Sequence, residues 1–371
     1  MLGRPLLLGA ATLAVAAVAF VLTLVARRVA LRVGFVDRPG GHKSHAAPMP
    51  YGGGCAIVAA AWGTLAMLML AAAVVPDTWL AARLGERWLP YVGGVRTRTP
   101  QMLWILLGGL ILHGVGLLDD RRPLGPWWKL AVIASVAVLA ATLGRVRLAE
   151  LWGPEVSVVL TTLWFVVIVN AFNFLDNMDG LSGGVAVLCL AFFAVFGLLA
   201  GQVLVPALAA VFCGAVLGFL VLNFPPARIF MGDAGSLVVG YMLAIVSTLT
   251  TYYQSAASTA AVRPYVLAAP LVVLAVPLYD FVSVVVIRLL EGRNPMRGDQ
   301  RHFSHRLVEQ GLSRRQAVLT IYLATATTGL AATLLPGAGL VRTATIGLLV
   351  LMVLAIIAIL EAPLRRGNGG V

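Results

Sequence analysis

The chain has 371 residues, of which 60% are hydrophobic and 11% are charged, and its mean hydropathy is +0.95. Soluble domains carry about 25% charged residues, so this composition excludes an ordinary soluble globule and indicates a protein dissolved in lipid. In a soluble chain the net charge of +12 would suggest nucleic acid, but here membrane topology explains it, and we expect no nucleic-acid partner.

Apolar runs of about 17 to 25 residues recur along the chain, and each can cross ~30 Å of hydrocarbon as a helix. They predict an all-α, polytopic membrane protein with about eleven transmembrane helices, or ten if the short fourth run does not cross. No repeat or soluble domain interrupts them, so residues 1–371 are interpreted as one integral membrane domain. The runs are residues 6–26, 54–75, 102–118, 130–144, 157–173, 184–200, 204–222, 236–251, 265–287, 317–335 and 343–361.

Lys and Arg are distributed unevenly between alternate loops. If the N-terminus lies outside, two thirds of the 27 Lys and Arg residues fall in inner loops or in the C-terminal tail. The positive-inside rule therefore predicts an N-out, C-in topology. In this topology residues 76–100 form an extracytoplasmic loop and residues 291–316 a cytoplasmic loop rich in His and Arg. Every unusual polar cluster then falls on the cytoplasmic face, where we expect the active site.

The second inner loop opens with adjacent carboxylates, Asp119 and Asp120, directly after an apolar run. Like charges at membrane depth raise one pKa or recruit a divalent ion, although a solvated loop start is the simpler alternative. Lys129 follows as a candidate phosphate ligand, or as an interface lysine that reaches toward water. His113, inside the preceding run, is interpreted as a structural histidine.

The third inner loop carries polar residues at intervals of three: Asn170, Asn173, Asp176 and Asp179. Residues three apart are neighbours along a helix, although this period drifts around the axis. The set exceeds what one helix end needs for capping. It offers oxygen ligands for a hard cation, and donors and acceptors for a nucleobase.

Asp233 lies in the sequence MGDAGS just before the eighth run. An N-cap is the simpler interpretation, but a carboxylate beside exposed N–H groups at a helix start can also bind a metal and a phosphate together. Phe230 is a core or lipid-facing residue unless it stacks on a base.

The fifth inner loop contains two of the five histidines, His302 and His305, among several arginines. This density favours phosphate recognition, with a basic strip on anionic lipid as the alternative. Lys43 and His45 in the first inner loop form a smaller set of the same kind. Asp280, inside the ninth run, is an intramembrane acid and hence a functional candidate.

Together these clusters supply carboxylates for a divalent metal, cations for phosphate charge, and amides for a base. Phosphoryl transfer fits this set, because it needs charge neutralisation and alignment more than covalent help from the protein. The sequence contains no GxxxxGK[ST] or HExxH motif, which disfavours ATP hydrolysis and zinc proteolysis.

Five of these segments, in order between about residue 35 and residue 307, resemble the motifs of polyprenyl-phosphate N-acetylhexosamine-1-phosphate transferases of the WecA type, in the superfamily that includes MraY. The resemblance implies transfer of a sugar 1-phosphate, such as N-acetylglucosamine 1-phosphate, from a UDP-sugar to undecaprenyl phosphate, with release of UMP. It implies Mg²⁺, with Mn²⁺ as the alternative ion, and the initiation of cell-envelope polysaccharide at the inner (plasma) membrane. A homodimer is left open. The segments are DRPGGHKSHAAPMPYGG, DDRRPLGPWWK, NAFNFLDNMDGLSGG, FMGDAGS and DQRHFSHRL.

The resemblance also assigns roles. Asp119, Asp120 and Asp233 would be the catalytic set, in which Asp233 and Asp120 would bind the metal. Phe230 would lie near the uracil, and Asn173, Asp176 and Asp179 near uridine and diphosphate. The basic residues Lys43, Lys129, His302 and His305 would contact phosphates or sugar. The substrate-binding set comprises Lys43, Lys129, Asn173, Asp176, Asp179, Phe230, His302 and His305.

Three positions depart from the pattern of that family. Ser304 stands where the WecA-type loop, usually His-x-His-His, has its middle histidine, Asn177 stands where glycine is common, and His42 stands where arginine is often found. The sugar is therefore open, and a MraY-like transfer of phospho-N-acetylmuramoyl-pentapeptide is the alternative activity. A secondary transporter is the remote alternative, because transporter sites lie near mid-membrane and these acids cluster at one interface.

Overall fold

The structure is a computed structural model that describes residues 3–37, 48–148, 150–255, 264–294 and 302–361. Within these ranges the chain is almost entirely helical, as the sequence predicts. The exceptions are loops, two short 3₁₀ turns and an antiparallel pair of two-residue strands, β1 (Val36–Asp37) and β2 (Met49–Pro50). The helices are α1 Gly3–Val33, α2 Gly53–Val74, α3 Asp77–Leu84, α4 Leu89–Arg121, α5 Pro126–Thr142, α6 Pro154–Leu175, α7 Leu181–Leu199, α8 Leu204–Asn223, α9 Asp233–Ser255, α10 Pro264–Val273, α11 Ala275–Leu290, α12 Phe303–Glu309, α13 Arg314–Ala332 and α14 Leu340–Glu361.

Eight of the described helices are long and apolar enough to cross a membrane, namely α1, α2, α4, α6, α7, α8, α9 and α14. A ninth span results if α10 and α11, which are bent by 73° relative to each other, are taken as one. The chain is therefore a multi-pass membrane protein, as predicted. Its orientation in the membrane stays a prediction.

The count of eleven spans is not confirmed, although all eleven predicted runs contain helix. The run at residues 130–144 lies in α5, which has only 17 residues. The run at 317–335 lies in α13, where Arg314, Arg315 and four threonines lower the hydropathy. The apolar pattern thus predicts correctly where helices form, but it overestimates how many of them can span the membrane.

Residues 76–100, predicted as an outer loop, contain α3 and the start of α4. Arg96 holds this segment together. It donates to the carbonyl oxygens of Ala72 and Val75 at 2.5 and 2.8 Å, and it pairs with Asp77 Oδ1 at 2.7 Å. Placement of the segment outside the membrane stays a prediction.

Helix α9 is the centre of the bundle. All of its apolar stretch is buried inside the protein, against 17% for α1 and 22% for α14. Because lipid is as apolar as a leucine side chain, close packing and interhelical hydrogen bonds hold such bundles together. One such bond runs from Tyr241 in α9 to the carbonyl oxygen of Ile105 in α4, at 3.0 Å.

Glycines let α2 and α4 approach the first turn of α9. A Cβ on Gly116 of α4 would lie 2.4 Å from the backbone N and Cα of Ala234, and a Cβ on Gly54 of α2 would lie 2.3 Å from Gly235 N. Real Cβ atoms do not approach backbone this closely. The start of α9, which carries Asp233, is therefore fixed between the end of α4 and the start of α2.

Candidate active site

Three predicted residues form one charged cluster where α4 ends and where α5 and α9 begin. Lys129 Nζ donates to Asp119 Oδ2 at 3.1 Å and to Asp233 Oδ2 at 2.9 Å. Their side chains are 14–25% exposed, so the cluster is largely shielded and still reachable from outside. Screening by water is weak at such a place, and the ammonium therefore offsets the two carboxylates effectively.

Asp120 caps α9 from a neighbouring helix. Its Oδ1 accepts the backbone N–H of Asp233 at 2.7 Å, and its Oδ2 accepts that of Ala234 at 3.1 Å. These N–H groups have no partner within α9, and an anion is favourable at a helix start. A Cβ on Gly232, whose φ is +70°, would lie 2.5 Å from Asp120 Oδ2. Asp120 thus fixes the backbone that carries Asp233.

Asn173 links α6 to the same cluster. Its Nδ2 donates to Asp233 Oδ1 at 3.0 Å and to Ser236 Oγ at 2.9 Å. Both oxygens of Asp233 therefore accept a hydrogen bond, one from Lys129 and one from Asn173. Asn170, three residues earlier, bonds instead to the carbonyl oxygen of Val166 in its own helix, at 2.7 Å. The drift of a three-residue period around the helix separates the two amides.

Asp176, which follows the last residue of α6, differs from the other carboxylates. Its half-buried side chain has no hydrogen-bond or ion-pair partner among the described residues. Burial raises the pKa of Asp176 well above its usual range, and repulsion from Asp233, Asp120 and Asp179 raises it further. A carboxylate repelled by its neighbours and lacking a partner is suited to receive a cation.

Asp179 and Gly180 join this segment to the loop before α9. Asp179 Oδ2 accepts the N–H of Ala227 at 3.0 Å, and Asn223 Oδ1 accepts the N–H of Gly180 at 2.9 Å. The hydroxyl of Tyr322 donates to the carbonyl oxygen of Gly180. Asn223 and Tyr322 were not singled out from the sequence, because nothing near them in the chain indicates these distant partners.

An aromatic group lies on the side of the site formed by β2. The ring centroid of Tyr51 is 6.2 Å from that of Phe230 and 5.4 Å from that of Phe35. The backbone N–H of Phe230 donates to the carbonyl oxygen of Pro50 at 2.9 Å. Burial, and then the negative charge of Asp37 and of the cluster, raise the pKa of Tyr51. Sequence reasoning missed Tyr51.

Of the two histidines in the fifth polar segment, His302 is the N-cap of α12 and His305 lies within α12; His302 is bonded to α11. His302 Nδ1 lies 3.0 Å from Asp280 Oδ2, and the N–H of Phe303 donates to Asp280 Oδ1 at 2.7 Å. Asp280, which is 1% exposed, therefore caps α12 and orients His302. Burial, and then the charges of His302 and Arg314, lower the pKa of His305.

Two further predicted residues have different outcomes. Lys43 lies outside the described residues, as does His45. The ring of His113 places Nδ1 2.9 Å from the carbonyl oxygen of Ala234, a contact that fits a structural histidine.

Beside Lys129, Trp127 and Trp128 are 65% and 61% exposed, as is common for tryptophans at a membrane surface.

The carboxylates of this site are donors of the kind that suits a magnesium ion completed by water and substrate phosphates. Among the described residues, no three His, Cys, Asp or Glu side chains are grouped as a metal site. Mg²⁺ commonly takes one or two carboxylates and completes its shell with water and substrate phosphates. The unpartnered Asp176 offers such oxygens, whereas those of Asp233 accept from Lys129 and Asn173, so its role as a metal ligand stays a prediction. Asp120 already binds two N–H groups, and its assignment as a metal ligand stays a prediction.

Comparison with known proteins identifies the class. A family model described as glycosyl transferase family 4 matches residues 102–251. A decaprenyl-phosphate N-acetylglucosaminephosphotransferase of Mycolicibacterium smegmatis is 35% identical over 93% of this chain and 86% of its own length. The enzyme of that name from Mycobacterium tuberculosis is also 35% identical, over 80% of this chain and 74% of its own.

A more distant relative is the undecaprenyl-phosphate alpha-N-acetylglucosaminyl 1-phosphate transferase of Escherichia coli K12. It is 27% identical over 81% of this chain and 76% of its own length. The chain therefore belongs to glycosyl transferase family 4, and the resemblance to WecA-type transferases inferred from the five motifs is confirmed.

Proposed function

We propose that this protein transfers N-acetylglucosamine 1-phosphate from UDP-N-acetylglucosamine to undecaprenyl phosphate, at the cytoplasmic face of the plasma membrane, with Mg²⁺. The single observation that carries the proposal is the cluster of Asp119, Lys129 and Asp233, with Asp120 and Asp176 beside it. The relatives named above act, by their names, on a polyprenyl phosphate and N-acetylglucosamine phosphate.

The proposed reaction is a displacement at phosphorus. An oxygen of the lipid phosphate attacks the sugar-bearing phosphorus of the UDP-sugar, and the bond from that phosphorus to the UMP oxygen breaks. The products are a lipid diphosphate sugar and UMP. Because a phosphate monoester is already anionic near neutral pH, the attack needs no intermediate on an aspartate.

Within this reaction Lys129 supplies positive charge to the phosphate oxygens. Asp119 binds the N–H of Leu124 at 2.6 Å and Lys129 at 3.1 Å, so both of its oxygens already have partners. This arrangement favours a steering role for Asp119, which positions the ammonium, over a role as general base. Asp120 positions Asp233 through the backbone of α9.

Asp233 and Asp176 would hold the magnesium ion, which when bound offsets the charge of the diphosphate. Asn173 would orient Asp233 through its amide. His302 and His305 would contact phosphate or sugar. His302 is oriented for this by Asp280, and the lowered pKa of His305 favours its neutral ring.

The acceptor's hydrocarbon chain requires an apolar surface beside the site. A groove between α10, α11 and α14 has walls that are almost wholly apolar, formed in part by Leu278, Val282 and Val350. Tyr279 also lines the groove, and its hydroxyl donates to Glu361, which accepts a bond from Arg306 of α12. The groove thus leads toward the histidine helix, which supports it as the path of the polyprenyl chain.

The test uses the purified protein in lipid nanodiscs with undecaprenyl phosphate and UDP-N-acetylglucosamine labelled at the sugar phosphate. We expect label in the lipid fraction and an equal amount of UMP, loss of both on adding EDTA, and recovery with excess Mg²⁺. Asp233→Asn should abolish transfer, while Asp77→Asn, at an exposed ion pair away from the site, should not.

Other outcomes would change the assignment. Transfer only from UDP-N-acetylmuramoyl-pentapeptide would indicate the MraY-like activity in its place. Activity of Asp233→Asn near that of the wild type, or full activity in EDTA, would refute the proposed site.

A further inference from the structure

We propose that Ser304 and Asn177 form a positioning pair, whose hydrogen bond sets the spacing between the histidine helix α12 and the segment 173–180 and so helps to select the donor sugar. The proposal rests on the proposed function for the identity of the donor. Ser304 Oγ donates to Asn177 Oδ1 at 2.6 Å, across 127 residues of sequence.

The amide of Asn177 is held in the orientation that this bond requires. Its Nδ2 donates to the carbonyl oxygen of Phe174 at 2.8 Å, which turns Oδ1 toward Ser304. Ser304 is only 1% exposed. A hydrogen bond shielded from water is costly to lose, because the partners left behind cannot be solvated.

Helix α12 is also anchored to α11 and α14. Asp280 caps its first turn, and Arg306 donates to Ser283 Oγ at 3.1 Å and to Glu361 Oε1 at 2.7 Å. With α12 fixed against α11 and α14, the bond from Ser304 determines how closely the segment after α6 approaches it. The edge-to-face contact of Phe174 with His302, at 5.9 Å between ring centroids, lies at the same junction.

The two side chains fit each other in size. With Ser304 Oγ already at hydrogen-bond distance from Asn177, an imidazole at position 304 would overlap the amide. Glycine at position 177 would leave room for that ring. These are two of the three positions at which the sequence departs from the pattern of the family that it resembles, and the structure places these two in contact. We therefore treat the two departures as one compensated change.

The pair lies between residues of the proposed site. His302 and His305 flank Ser304 in the chain, and Asp176 and Asp179 flank Asn177. A change in the spacing between α12 and the segment 173–180 moves the histidines relative to the aspartates. This changes the contacts that a donor bound between them makes through its sugar and diphosphate. We expect loss of the bond to change the KM for the donor more than kcat, since neither Ser304 nor Asn177 contacts the reacting atoms in the proposed reaction.

The test is a double-mutant cycle of wild type, Ser304→His, Asn177→Gly and the double variant. UMP release is measured with UDP-N-acetylglucosamine and with UDP-N-acetylgalactosamine. We expect Ser304→His to raise the KM for UDP-N-acetylglucosamine about tenfold, Asn177→Gly to raise it about threefold, and the double variant to return within about threefold of wild type. The ratio of the two donors should change in the single variants.

Two further variants separate positioning from general damage. Ser304→Ala removes the bond without a clash and should raise KM with little change in kcat. Ser313→Ala removes a serine hydroxyl that caps α13 at an exposed capping box, and it should lower the unfolding temperature with no change in KM. An unchanged KM in Ser304→Ala, or purely additive effects in the cycle, would overturn the proposal.

The same proteins distinguish failure of the proposed function. If the wild type releases no UMP from any UDP-sugar, the proposed function and the donor-selection part of this inference both fail. The unfolding temperatures of the four proteins then report the contact itself. We expect the double variant to be more stable than the sum of the single effects allows, and strict additivity would show that the two positions are uncoupled.

Discussion

Lys129 Nζ lies 2.9 Å from Asp233 Oδ2, so an ion pair between residues 104 apart in sequence joins the first turns of α5 and α9. We expect Lys129→Met to abolish transfer and to destabilise the fold by about 2–4 kcal/mol, because it leaves Asp233 and Asp119 repelling each other with little access to water. Transfer assays and thermal unfolding of the purified variant measure the two effects.

Lys129→Arg is the matched control for charge. It retains the cation but replaces a compact ammonium by a planar guanidinium, so most of the stability should return and only part of the activity. Wild-type turnover in Lys129→Met would contradict the role of Lys129 in phosphate transfer.

Asp120 provides a second prediction, since both of its oxygens accept backbone N–H groups of α9. In Asp120→Asn one of these oxygens is replaced by an NH₂ group, which cannot accept. We expect a loss of about 1–3 kcal/mol and a strong fall in turnover, through displacement of Asp233. The affinity for Mg²⁺ should fall along with turnover. Unchanged stability would indicate that the cap does not form.

Sequence reasoning found most of the charged groups of this cluster. Acids next to apolar runs are costly unless they are compensated, so Asp119 and Asp233 were visible as candidates from their positions in the sequence. The partners were not visible. That Asp120 binds two N–H groups depends on the close approach of α4 to α9, which the chain encodes only as glycines at two distant positions.

Contacts between loops were the least predictable. Ser304 and Asn177 each appear in the sequence as an isolated departure from a pattern, and their hydrogen bond requires the packing of α12 against the end of α6. Tyr51 was missed because the charged residues of its segment drew attention first, and its contacts with Phe35 and Phe230 arise only in the fold. The span count differs for a related reason, since α5 and α13 form helices without the length or the hydropathy of a clear span.

Two glycines in α4 offer a matched pair for testing the close approach to α9. In Gly116→Ala the new Cβ would meet the backbone of Ala234 at 2.4 Å, whereas at Gly114 nothing lies within 4 Å. We expect Gly116→Ala to cost about 1–3 kcal/mol from overpacking and to reduce turnover at least tenfold by shifting α9.

Gly114→Ala should leave turnover unchanged and add up to about 1 kcal/mol, because alanine is the better helix former. Thermal unfolding and UMP release are measured in parallel for Gly116→Ala and Gly114→Ala. Equal behaviour of the two variants would show that α4 and α9 do not meet at Gly116.

The last prediction concerns Asp176, whose pKa is raised by burial and by the neighbouring carboxylates. The folded state then binds the proton of Asp176 more tightly than the unfolded state does. Stability is lost as the pH rises from the ordinary aspartate range through the raised pKa, and the full penalty is present at the high end of that window. Asp176→Asn removes the charge, so we expect a higher unfolding temperature at pH 8 and a smaller gain at pH 5. Its transfer activity should fall at least tenfold, because the group that opposes folding is the one proposed to receive the cation. A variant that is less stable than wild type at pH 8, or equally active, would contradict this account of Asp176.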